Sequence, residues 1–224
     1  VSQQVLPFYL VCDESGSMAG APVDAINKSL PDLHQEIGSN PAVADKTRFC
    51  LISFSDKTEI LLPLSDLSAI TSMPALKPNG GTSYGQVFDV LRETINNDVN
   101  ELKKQGHQVY RPTVFFLSDG QPADDWHAAY QSLTDPGWRP RPNILAFGFG
   151  QADAAVIRQV ATTKAFISDG TLGPTDALKE FAKSLIRSIV NSGTSSASNS
   201  NEGSAVLVMP EQVPGYVTME ADQV

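Results

Sequence analysis

The chain has 224 residues, 41% of them hydrophobic and 18% charged, which is enough for one well-buried core and too little for a second full domain. Its net charge of -9 argues against wholesale binding to nucleic acid or anionic lipid, whose phosphates such a surface repels. No stretch approaches ~18 consecutive apolar residues and no cationic segment precedes an apolar core near the N-terminus, so neither a membrane span nor a secretion signal is expected. The first residue is Val1, which leaves room for upstream sequence.

Strand and helix signals alternate with short connections, the pattern of an α/β domain whose mostly parallel sheet is covered on both faces. Val5 to Cys12 is a near-continuous apolar run that reads as a buried strand. Val23, Ile26, Leu30, Leu33 and Ile37 then recur at helical spacing after Pro22, and Pro31 is expected to kink that helix. Phe49 to Phe54 and Thr58 to Leu62 are strands joined by so short a turn that they must run antiparallel, which makes the third strand an edge. Ser83-Tyr84-Gly85-Gln86 has the form of a capping box opening a long helix through Val87, Leu91, Ile95 and Leu102. Thr113 to Leu117, Asn143 to Phe147 and Ala165 to Ile167 are the fourth to sixth strands, and Ala154 to Val160 forms a helix before the last of them. Leu178, Phe181, Ala182, Leu185, Ile186 and Ile189 mark the final helix.

Residues 1–190 therefore form the domain. Residues 191–204, nearly all Ser, Asn, Gly, Thr and Ala, read as a flexible linker. Residues 205–224 form a tail with Glu211, Glu220 and Asp222 but no Lys or Arg. Such a peptide is suited to add a strand to a sheet edge, to self-associate, or to offer a carboxylate to a metal.

The chemistry gathers in Asp13-Glu14-Ser15-Gly16-Ser17, where the first strand ends in a carboxylate followed by two hydroxyls. Oxygen ligands of this kind suit a hard divalent cation such as Mg²⁺. Ligands of open α/β sheets bind beyond the carboxyl ends of strands where the strand order reverses, so if the first and fourth strands are central neighbours, Asp13 and Asp119 both leave the sheet at that crevice. Thr82 follows Gly80-Gly81, and with Ser83 serving as the helix cap its hydroxyl is free. Singly, each residue reads as a turn or a cap; jointly, at successive strand ends, they read as a site. Cys12 and Cys50 lie inside apolar strands as buried thiols, which favours a reduced, cytoplasmic setting, and His34, His107 and His127 show no ligand spacing for zinc.

Asp13-x-Ser15-x-Ser17, Thr82 in Gly-Gly-Thr-Ser and Asp119 in Phe-Leu-Ser-Asp-Gly resemble the metal-ion-dependent adhesion site of von Willebrand factor A domains. With Asp124-Asp125-Trp126 and the order of elements, the chain is most similar to bacterial tellurium-resistance proteins of the TerY-like branch. The resemblance implies a three-layer Rossmann-like fold with a six-stranded sheet of order 3-2-1-4-5-6. It also implies Mg²⁺, with Mn²⁺ or Ca²⁺ as alternatives, held by Asp13, Ser15, Ser17, Thr82 and Asp119. The function it implies is metal-dependent binding of a partner's Asp or Glu in a cytoplasmic stress-response system that includes tellurite resistance, with a phosphatase or kinase of that system as partner.

Two alternatives stand beside it. One is a Mg²⁺-dependent phosphoryl-transfer enzyme using Asp13, although Ser15 stands where such enzymes carry a second Asp, and no general acid or Gly-x-Ser-x-Gly elbow accompanies it. The other is a scaffold whose metal only orders the loops. Gly148-Phe149-Gly150 lacks the third glycine of a dinucleotide fingerprint and reads as a turn. Trp126 and Trp138 read as core residues, and Asp124 and Asp125 as first-turn acids of a helix.

Overall fold

The computed structural model of the chain describes residues 3–198 and 208–220. Its strands are β1 (Gln4–Asp13), β2 (Thr47–Phe54), β3 (Thr58–Ser65), β4 (Gln108–Val109), β5 (Thr113–Ser118), β6 (Asn143–Gly148), β7 (Lys164–Ser168) and β8 (Tyr216–Glu220). They form one sheet of order β3-β2-β1-β5-β6-β7-β8, with β4 paired to β1 in line with β5. Pairing is parallel from β2 through β7 and antiparallel at both edges, β2 with β3 and β7 with β8. The helices are α1 (Ala21–Gly38), α2 (Pro41–Lys46), α3 (Tyr84–Lys104), α4 (His127–Thr134), α5 (Ala154–Val160) and α6 (Pro174–Ser198). None of the described helices is long and apolar enough to cross a membrane.

The apolar run of β1 builds both halves of the core, because successive side chains of a strand point to opposite faces. Leu6, Phe8, Leu10 and Cys12 pack with α1, α2 and α6 through Val23, Ile26, Leu30, Leu33, Val43, Phe181 and Leu185. Tyr9 and Val11 pack on the other face with Val87, Phe88, Leu91 and Ile95 of α3, Leu133 of α4 and Ile157 of α5. A strand buried on both faces and paired in parallel on both sides is central, and this puts its carboxyl end, Asp13, at the middle of the sheet's rim.

The six expected strands are present in the expected order, but the sheet has eight. The two residues of β4 are too few to show any periodicity, and β8 comes from the tail. Pro31 lies on the exposed side of α1, which continues past it to Gly38; the hydrogen bond its ring removes faces water.

The stretch expected to be a linker from Asn191 begins instead as the end of α6, which runs to Ser198; residues 199–204 lie outside the described residues. Small side chains let the returning chain sit against this helix. Ser192 is buried, donates to the Ser188 carbonyl at 2.7 Å and accepts from the Val208 amide at 2.9 Å, while the Ser188 hydroxyl donates to the Val208 carbonyl. Val213 and Tyr216 are then buried, the Tyr216 hydroxyl donating to the Ala177 carbonyl at 3.0 Å and its ring meeting Phe147 edge-on. The strand of the tail, 216–220, thus lies on the chain's own β7, and residues 205–207 and 221–224 lie outside the described residues.

Tyr216→Ala should lower stability in a urea titration by about 3 kcal/mol, the usual cost of removing a buried aromatic ring. Val217→Ser on the same strand, whose side chain is half exposed, should leave the midpoint unchanged.

Candidate functional site

Three loops meet at the carboxyl end of β1 and β5. The first runs from Asp13 through Ser17 into a single 3-10 turn at Gly16–Met18, the second leads from Asn79 through Thr82 into α3, and the third follows Ser118. Backbone bonds tie the first to the second: Gly16 donates to the Gly80 carbonyl at 2.9 Å and Asn79 to the Glu14 carbonyl at 2.8 Å. Gly80, with φ +72°, adopts a left-handed conformation that favours glycine, and the Asp56 carboxylate lies against it and Gly81.

The five candidate residues come together. Both oxygens of the fully buried Asp13 are engaged, Oδ1 accepting from the Ser15 amide at 2.8 Å and Oδ2 from the Ser118 hydroxyl at 2.6 Å. Ser15 and Ser17 hydroxyls lie 3.1 Å apart, and Ser17 donates to Asp119 Oδ1 at 2.9 Å. Thr82 closes the ring from above Gly120: a Cβ on that glycine would sit 3.1 Å from Thr82 Oγ1 and 3.7 Å from Asp13 Oδ2. The missing side chain leaves the space between them open.

Asp13 and Asp119 are both buried, and no Lys, Arg or His among the described residues pairs with either. Burial raises the Asp13 pKa, opposed by the hydrogen bonds from Ser118 and Ser15. Burial, and next the charge of Asp13, push Asp119 up to about 6. Five oxygens converging on two carboxylates that lack a counter-charge form a donor set that fits a hard divalent cation.

Several supporting residues carry no sequence signal as site residues. Glu14 turns away from the site and is buried, accepting from the Ser53 hydroxyl at 2.9 Å and the Lys77 amide at 3.1 Å. The expected capping box does not form: Ser83 is the N-cap of α3, yet its side chain makes no cap bond. Asp124, from the loop after β5, caps the helix instead, accepting from the Tyr84 amide at 2.9 Å, the Gly85 amide at 2.7 Å and the Ser83 hydroxyl at 2.9 Å. It lies outside any helix of its own, because α4 starts only at His127. The capped amides are 40 residues away in sequence, a separation at which no local pattern shows. Trp126 is core, as expected, packed on Tyr84, Phe88 and Tyr130, while Trp138 is half-buried with the Arg92 guanidinium 4.7 Å over its ring.

A parallel sheet sandwiched by helices, with an oxygen-lined crevice where the chain turns to opposite sides after β1 and β5, defines a Rossmann-like α/β domain with its candidate site at the switch point. Residues 8–183 match the von Willebrand factor type A domain family, and the chain belongs to it. Solved structures of similar fold include a von Willebrand factor type A protein from Catenulispora acidiphila, 16% identical with a TM-score of 0.59 over 84% of this chain and 43% of that one. The ArnB paralog VWA2 from Sulfolobus acidocaldarius is 17% identical, with a TM-score of 0.54 over 84% of this chain and 46% of that one. Proximal thread matrix protein 1 from the mussel byssus, solved with a zinc-occupied MIDAS motif, is 14% identical with a TM-score of 0.58 over 84% of this chain and 48% of that one. This chain thus spans less than half the length of each. No curated protein matches it.

Asp119 yields a pH dependence. Its folded pKa of about 6 exceeds the ordinary 3.8, so the folded state holds a proton that the unfolded state has lost. The resulting stabilisation is complete below 3.8 and is lost as the pH rises through about 6. In chelator, the Tm of wild type should therefore fall between pH 5 and 7.5 more than that of Asp119→Asn. Asp124→Ala should cost about 1–2 kcal/mol in denaturant as a lost helix cap, whereas Asp125→Ala should leave the midpoint where it is.

Proposed function

We propose that the chain is a metal-dependent protein-interaction module in which Asp13, Ser15, Ser17, Thr82 and Asp119 hold a Mg²⁺-type ion and a partner's Asp or Glu completes its coordination. The observation that carries this reading is the pair of buried carboxylates, ringed by three hydroxyls and lacking any basic partner among the described residues. Family membership supports it, since von Willebrand A domains generally serve as interaction modules, often through a metal.

A bound ion would supply positive charge at the rim, attracting a carboxylate while discriminating against neutral side chains. This chain's own residues do the rest. Ser118 and the Ser15 amide orient Asp13, Ser17 orients Asp119, and the bonds from Gly16 to Gly80 and from Asp124 to the start of α3 hold the Thr82 loop in reach. The phosphoryl-transfer alternative finds less support at the same site, since Ser15 stands where such enzymes carry a second carboxylate and no Lys, Arg or His among the described residues pairs with Asp13.

Mg²⁺, with Mn²⁺ and Ca²⁺ as competitors, is the ion favoured by all-oxygen ligands; the zinc in the mussel byssus protein's MIDAS motif makes Zn²⁺ a worthwhile addition to the panel. The resemblance to TerY-like proteins supports a cytoplasmic stress-response setting, with a phosphatase or kinase of such a system as the partner.

Calorimetry with each ion should show binding to wild type, at least tenfold weaker binding to Asp13→Ala and Ser17→Ala, and no change in Asp125→Ala. Wild type that takes up none of these ions would falsify the reading. Capture of a partner that disappears in chelator and in Asp13→Ala would establish the interaction; retention in both would leave only a scaffold.

A further inference from the structure

The end of the sheet opposite Asp13 and Asp119 carries the other sign of charge. β1 pairs with β4 up to Val5↔Val109 and with β5 from Phe8↔Thr113, so Leu6 and Pro7 face three residues, Tyr110, Arg111 and Pro112. Pro7 has no amide hydrogen to continue a ladder, and Arg111 is the middle one of the three residues that span this gap between β4 and β5. Arg111 is exposed there, and its Nη1 donates to the carbonyls of Arg141 at 2.7 Å and Arg139 at 3.4 Å, which fastens the loop before β6.

A cavity of about 290 Å³ opens at this junction, lined by Val99, Lys103, Tyr110, Arg111, Arg139 and Pro140 among others. Three cationic side chains facing one small cavity are unexpected in a chain of net charge -9. None of them pairs with a carboxylate among the described residues. Lys103 alone would be explained by its place in the last turn of α3, where a cation suits the helix dipole. Arg111 and Arg139 lie on no helix; the Arg111 Nη1 is used on the loop carbonyls, while Arg139 makes no side-chain bond of that kind among the described residues. Burial, and then the neighbouring Arg141, push the Arg111 pKa down, as happens when cations crowd together without a counter-charge.

We propose that this cavity binds a small phosphate monoester, its phosphate held among Lys103, Arg111 and Arg139 and its esterified group laid against Tyr110, Val99 and Pro140. Three cations call for a multiply charged anion, and the planar guanidinium fork suits tetrahedral phosphate oxygens. The cavity size fits a ligand at the small end of ordinary binding sites. α3 measures the separation from the metal loops: Tyr84 begins it beside Thr82 and Lys103 stands in its last turn 19 residues later, about 30 Å away at 1.5 Å per residue. The inference is thus independent of the metal reading.

Calorimetric titration of the full chain in chelator, at constant ionic strength, tests it with phenyl phosphate and inorganic phosphate as probes. Wild type should bind phenyl phosphate more tightly than phosphate. Lys103→Glu and Arg139→Glu, both at exposed side chains and checked for folding by circular dichroism, should each bind at least tenfold more weakly, and Asp13→Ala should bind as wild type does. Heats in wild type no larger than dilution, unchanged binding in both charge reversals, or loss in Asp13→Ala would overturn the site. Equal affinity for the two probes would overturn the role given to the apolar wall.

Discussion

Two buried carboxylates without a basic partner among the described residues, Asp13 and Asp119, set the terms for the whole upper rim of this domain. Burying one such charge is costly, and burying two side by side adds their repulsion. Three donors answer this problem, Ser118 and the Ser15 amide on one carboxylate and Ser17 on the other. Those bonds soften the cost without supplying positive charge, so the deficit is electrostatic and local. It also explains why the three loops are tied to one another by backbone bonds, since a rim left free would simply open and hydrate.

The placement of the rim follows from β1. A strand that is apolar on both faces has one position available, the middle of a covered sheet, and its carboxyl end then faces the gap where chain connections diverge. The helical faces and the antiparallel β3 were legible because each depends on periodicity or on a connection length, both of which are local, whereas the order of the six strands came only with the family resemblance. Asp13, Ser15, Ser17, Thr82 and Asp119 were legible as a set because each stands at the end of a legible element.

What stayed illegible was long-range. Asp124 looks like an acid in the first turn of its own helix and instead caps another one. Asn191 onward has a linker's composition, yet helix α6 continues to Ser198, where small serines permit close approach of the returning chain. β4 has only two residues, too few for any pattern. Arg111, Arg139 and Lys103 are scattered over the sequence, and only the packing of the end of α3 and two loops brings them to one cavity.

The remote cap on α3 has a dynamic consequence. Most helices satisfy their first amides from a residue next door, so fraying there reports on the helix alone. Here the amides of Tyr84 and Gly85 are covered only while the loop after β5 is seated, and that loop begins at Asp119. Exchange of those two amide protons with solvent is therefore a clock for opening of the Asp119 loop. Two protons at a helix start would time the motion of a site several residues away, in the resting protein and without any ligand or label.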